Sequence, residues 1–113
     1  MGFFKSSVPE VDARAAAGKL ADGAVALDVR EHDEWQAGRI AGALHIPMGE
    51  LALRQDEIPR DRLLIAVCRS GSRSAAVTEA LVGAGYQAEN LAGGMHAWQA
   101  AGLPLDPPSG WIA

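Results

Sequence analysis

The sequence predicts an α/β domain, with a parallel sheet carrying helices on both faces. Three observations carry this. Short apolar runs alternate with segments whose apolar residues fall at helical spacing. The clearest run, Leu63 to Val67, is continuous rather than alternating, the pattern of a strand buried on both sides. Turn and stop signals fall between the segments: Asp22-Gly23, Gly38, Pro47, Gly85, Gly93-Gly94 and Gly102. The 113 residues suit one domain. A hydrophobic content of 49% with 21% charged residues is enough for a core.

Taken in order, Val8 to Val11 reads as an edge strand, where Pro9 is tolerated. Asp12 is a suitable N-cap for an Ala-rich helix through about Leu20. Ala24 to Val29, carrying Asp28 near its end, is a buried strand, and Glu31 to Ala37 a short helix stopped by Gly38. Ala43 to Ile46 is a short strand; Glu50 to Asp56 is weakly helical. After Leu63 to Val67 comes the polar loop Cys68-Arg69-Ser70-Gly71-Ser72. From Arg73 to about Ala84, residues Ala76, Val77, Ala80, Leu81 and Ala84 mark the apolar face of a helix. Ala88 to Leu91 is the fifth strand and Met95 to Ala101 the last helix. This divides the chain into an extension (1–7), a domain (8–104) and an irregular tail (105–113), whose Trp111 and Ile112 are expected to dock on the body.

Composition narrows the function. A net charge of −4 argues against non-specific nucleic-acid binding, which needs a basic face. No apolar run is long enough to span a bilayer. Met1-Gly2-Phe3-Phe4-Lys5-Ser6 fits the loose myristoylation pattern, but Phe3 and Phe4 read more simply as cover for part of the domain surface. Two apolar residues are too few for a secretory signal. A single cysteine permits neither an internal disulfide nor a multi-cysteine zinc site, and suits a reducing compartment, here expected to be the cytoplasm. His32, His45 and His96 are too scattered to suggest a metal site.

A lone cysteine is ordinarily a small buried hydrophobe. Cys68 stands elsewhere, where a buried strand ends and a helix begins, and ligands of open α/β sheets bind outside the carboxyl ends of the strands. Gly71 and the two serines allow a tight curve that turns unpaired N–H groups inward as an anion nest. A helix dipole contributes about 0.3–1 kcal/mol to a nearby anion. That is less than the ~1.4 kcal/mol of one pKa unit, so the dipole alone does not make a thiolate. Arg69 and Arg73 add positive potential, and together with the N–H groups would bring the thiol toward the range of roughly 3.5–7.5 seen in activated cysteines. Arg69, inside the loop, is the better contact for an anionic substrate; Arg73 either shares it or pairs with an acidic side chain such as Asp28.

These residues resemble the single-domain rhodanese family. Cys68-Arg69-Ser70-Gly71-Ser72-Arg73-Ser74 is similar to its active-site loop. Three further segments agree in order: Leu27-Asp28-Val29-Arg30-Glu31 with Glu34-Trp35, Gly38 to Pro47, and Asn90 to Trp98 with its Gly93-Gly94. The resemblance covers roughly residues 8 to 104 and implies a five-stranded parallel sheet flanked by helices. It also implies a thiosulfate sulfurtransferase, in which Cys68 takes sulfane sulfur, holds it as a persulfide and passes it to cyanide or a thiol. No metal or organic cofactor is implied. The partners implied are a small anionic donor and a thiophilic acceptor, which includes a protein thiol.

Two positions depart from the pattern: Arg39 stands where the family usually has His, and Ala41 where it often has Pro. Arg39 is expected to be solvent-exposed. Asp28 and Arg30 read as a strand-end network that holds the Cys68 loop rather than as acid–base groups. Trp35 and Trp98 read as core anchors, and His96 as a helix-surface residue. Two other functions stay open. One is a sulfur-carrier module serving a protein partner. The other is a phosphatase or arsenate reductase on a related fold, disfavoured because protein tyrosine phosphatases place five residues between Cys and Arg, whereas four separate Cys68 from Arg73.

Overall fold

The computed structural model describes residues 8–113. The N-terminal extension, with its Phe3–Phe4 pair and myristoylation pattern, lies outside the described residues. Five parallel strands form one sheet: β1 (Glu10–Val11), β2 (Val25–Asp28), β3 (Leu44–His45), β4 (Leu64–Val67) and β5 (Ala88–Leu91), in the order β1-β5-β4-β2-β3. Four helices accompany them: α1 (Ala13–Ala21), α2 (His32–Ala37) and α3 (Ser72–Gly83) connect strands, and α4 (Gly94–Ala100) follows β5. The expected N-cap is present, with the Asp12 side chain accepting the Ala15 N–H at 2.8 Å.

Strand periodicity sorts the core into two layers. Leu27, Val29, Leu64 and Ala66 face Val77 and Leu81 of α3. Ala26, Ile65, Val67 and Leu91 face Ala13 and Ala16 of α1 and Met95 and Trp98 of α4. Leu64 and Ile65 are fully buried, each contributing about 1.5–3 kcal/mol of transfer free energy. Helices thus cover both faces, and the strand order reverses between β2 and β4, a topological switch point.

Several sequence expectations change. The weakly helical 50–56 stretch is two short 3₁₀ turns, Met48–Glu50 and Gln55–Glu57. The buried face of α3 is Ser74, Val77, Thr78 and Leu81; the alanines Ala76 and Ala80 and the C-cap Ala84 are exposed beside it and line an apolar groove of about 370 Å³ with Met48, Leu51 and Ile58. Trp98 is a core anchor, but Trp35 is only half-buried, its ring stacked on His45 at 4.5 Å with Arg39 over it at 5.0 Å. Arg39 is therefore a half-buried stacking partner rather than a free surface cation. Its main chain exchanges two hydrogen bonds with Asp106 and its side chain approaches the Asp106 carboxylate at 3.6 Å. Beyond this bridge the Trp111 N–H reaches the Ala37 carbonyl, Ile112 packs on the α1/α4 core layer, and the Trp111 side chain stays 62% exposed.

Candidate active site

Cys68 follows β4 at the switch point, where β2 and β4 end side by side with Asp28 opposite Val67. Alternation along β4 turns its side chain toward the α3 layer, and it has no exposed surface. Residues 68–71 curl back so that backbone and hydroxyl donors meet the sulfur. The Gly71 N–H lies 3.1 Å from Sγ, the Ser74 N–H 3.3 Å, and the Ser74 hydroxyl 3.2 Å. Gly71 makes the curl with φ +103, a left-handed conformation that side chains disfavour. The first turn of α4 locks the loop: the Met95 N–H donates to the Cys68 carbonyl at 2.9 Å and the His96 N–H to the Arg69 carbonyl at 3.1 Å.

Burial pushes the Cys68 thiol pKa up, and it is the largest single influence. Hydrogen bonds from the Ser74 hydroxyl, then from the Ser74, Gly71 and Ser70 N–H groups, act against it and together hold the thiol below its ordinary value. The sequence-level anion nest is present, with Ser74 as a member that reasoning from the loop alone did not include.

Arg69 and Arg73 separate. Arg69 is exposed, and its Nε donates to the Ala113 carbonyl at 2.7 Å. Its two terminal nitrogens have no hydrogen-bond partner among the described residues. Arg73 forms a two-pronged pair with Glu34, both contacts 2.8 Å, which lowers the Glu34 pKa to about 2. Pairing of Arg73 with Asp28 is excluded by occupancy: the Arg30 guanidinium takes both Asp28 oxygens, at 2.8 to 3.1 Å, deep in the core. Arg30 also donates to the Glu34 and Gly38 carbonyls at 3.2 and 2.9 Å. The Asp28–Arg30 network therefore grips α2 rather than the Cys68 loop, and reaches the loop only through Glu34 and Arg73. Ser70 and Ser72 are exposed on the loop's outer side, and His96 is exposed on α4 as expected.

Three residues that lie within the sequence motifs gained no site role from sequence reasoning: Glu34, Ser74 and Asn90. Glu34 had a signal, standing three residues after Glu31 in a reciprocal capping box. Asn90 interrupts a buried strand with an amide, which burial tolerates only with partners. No group of three or more metal-ligating side chains occurs among the described residues. No helix among them is long and apolar enough to cross a membrane.

The rhodanese-like domain family matches residues 7–101. A sulfurtransferase of Allochromatium vinosum is 39% identical over 106 residues, covering 91% of this chain and 99% of that protein. A thiosulfate sulfurtransferase of Actinobacillus succinogenes is 32% identical over 90 residues, covering 79% of this chain and 81% of the relative. The crystal structure of a rhodanese-related protein from Thermoplasma volcanium superposes with a TM-score of 0.82 at 31% identity, over 86% of this chain and 96% of that one. The fold, the position of the cysteine loop and these likenesses converge: the chain belongs to the rhodanese-like domain family, whose general chemistry is sulfur transfer.

Proposed function

We propose that this chain is a thiosulfate- or persulfide-dependent sulfurtransferase with Cys68 as its nucleophile. The convergence of two N–H groups and one hydroxyl on the Cys68 sulfur carries the reading, because it stabilises an anion at that atom. In the first half-reaction the thiolate attacks the outer sulfur of thiosulfate. A Cys–S bond to that sulfur forms, the donor S–S bond breaks, and sulfite leaves with the bonding pair. The negative charge now sits on the outer sulfur of the Cys68 persulfide. In the second half-reaction cyanide or a thiolate attacks this outer sulfur. Thiocyanate or a new persulfide leaves, and the Cys68 thiolate returns. Displacement at sulfur asks for positioning and anion stabilisation, and for neither a metal nor an organic cofactor.

Arg69 offers its terminal nitrogens to the sulfonate end of the donor. Ser70, Gly71 and Ser72 shape the nest, Arg73 braces it against Glu34, and Asp28 and Arg30 hold α2 so that Glu34 stays in place. A reducing compartment such as the cytoplasm keeps the thiol available. The test is steady-state thiocyanate production from thiosulfate and cyanide. Turnover in the parent and none in Cys68→Ser supports the proposal; equal turnover in both overturns it.

The carrier reading is favoured by one observation, the complete burial of Cys68. A protein partner that opens the loop would then be the acceptor, and small-molecule turnover would be negligible although sulfur still loads.

A further inference from the structure

Asn90 is 1% exposed and its carboxamide orientation follows from its partners. One side of the amide faces the Gly71 carbonyl and the Glu10 carboxylate, both at 3.1 Å, and neither can donate. That side is therefore Nδ2, and Oδ1 faces the Ser74 oxygen at 2.6 Å. Oδ1 accepts only, so the Ser74 proton points at it. The same hydroxyl lies 3.2 Å from Cys68 Sγ. One proton thus stands between two acceptors.

The charge on the sulfur decides where it goes. When Cys68 is a thiol, its S–H donates to the Ser74 oxygen and Ser74 donates to Asn90, so every group is satisfied. When Cys68 is a thiolate, both Sγ and Oδ1 demand the proton. Charge-assisted hydrogen bonds are about twice as strong as neutral ones, so the sulfur takes it. When Sγ carries a second sulfur, the charge sits on the outer atom and Sγ becomes a weak acceptor. The hydroxyl then returns to Asn90. A donor fixed on Sγ would favour the thiolate but oppose the persulfide; a rotating donor serves both.

We propose that the Ser74 hydroxyl is a two-position switch set by the charge on Cys68 Sγ, and that Asn90 is the positioning residue that supplies its second position. This rests on the reading of Cys68 as a persulfide carrier. The charged groups around the sulfur do not duplicate the switch. Arg73 of α3 is paired to Glu34 of α2 near Glu31, Glu10 of β1 is spent on Asn90, Asp28 and Arg30 at the end of β2 neutralise each other, and Arg69 points to the tail.

The experiment follows the Asn90 side-chain ¹³Cγ and Cys68 ¹³Cβ resonances of the labelled full chain through a pH titration, before and after loading with thiosulfate. The Asn90 signal is expected to move with the Cys68 midpoint, and loading is expected to return it to its thiol-state position. In Ser74→Ala the movement disappears, and alkylation by iodoacetamide below the midpoint slows about tenfold, the least a hydrogen bond to a charged group carries. Ser74→Thr restores both. An Asn90 signal that stays still while Cys68 titrates, or that moves equally in Ser74→Ala, overturns the switch; the parent titration alone suffices should the variants fail to fold. Failure to load from thiosulfate or from a low-molecular-weight persulfide would instead overturn the reading of Cys68 and leave the thiol-to-thiolate titration intact as a separate result.

Discussion

Arg73 and Glu34 meet end to end, Nη1 on Oε1 and Nη2 on Oε2, each at 2.8 Å. The pair ties the first turn of α3 to α2, and so fixes the far end of the loop that begins at Cys68. Its stabilisation depends on a carboxylate whose folded-state pKa, about 2, lies below its ordinary 4.5. For a depressed acid the contribution is complete above the unfolded value and is lost as pH falls through the folded one. Denaturant unfolding of Glu34→Gln should therefore show a loss of about 1 kcal/mol at neutral pH, the upper range for a partly exposed pair. The difference from the parent should shrink between pH 4.5 and 2.

Gly94 has φ +58, and a methyl group there would strike the carbonyl oxygens of Cys68 and, at 2.6 Å, Arg69. Those carbonyls are held by N–H groups of α4, so they have no room to retreat. Gly94→Ala should lose about 2–3 kcal/mol, combining left-handed strain with the clash. It should also lose most of its sulfur loading. Parent-like unfolding and parent-like loading would show that the α4 turn does not constrain the loop.

Arg30 and Asp28 are buried together, and removing one leaves the other's charge without a partner. Urea unfolding of Arg30→Met should reveal a loss of about 3–5 kcal/mol. The double replacement of both residues by apolar ones should recover part of it. Equal losses in the single and double variants would contradict the account of the pair.

The thiol is below its ordinary pKa although burial opposes this. The pH dependence of iodoacetamide alkylation should then show a midpoint below that of the same cysteine in the unfolded chain. Because Cys68 has no exposed surface, a bulky aromatic disulfide should react much more slowly than iodoacetamide, in contrast to the same pair of reagents on an unfolded chain. Similar reactivity toward both would mean the loop stands open.

The strands and the place of Cys68 were legible because both are local: an apolar run that stops at a polar, glycine-bearing loop is written in consecutive residues. Partner choice was not. The Arg73–Glu34 pair spans 39 positions and Ser74–Asn90 spans 16, so no local pattern joins them. By sequence Asp28 is a reasonable partner for Arg73, but Arg30, two residues along the same strand end, fills it. Arg39 looked like a surface cation because its stacking partner Trp35 and its ion-pair partner Asp106 lie on α2 and on the tail. The alanines of α3 followed helical spacing correctly, yet small side chains line a groove as readily as they fill a core.

The central claim is that Cys68 itself carries the transferred sulfur. The most direct measurement is the intact mass of the reduced protein after incubation with thiosulfate, and again after adding cyanide. The account predicts a gain of one sulfur atom, its loss with cyanide in step with an equal amount of thiocyanate, and no gain in Cys68→Ser. An unchanged mass with thiosulfate and with a low-molecular-weight persulfide, or the same gain in Cys68→Ser, would contradict it.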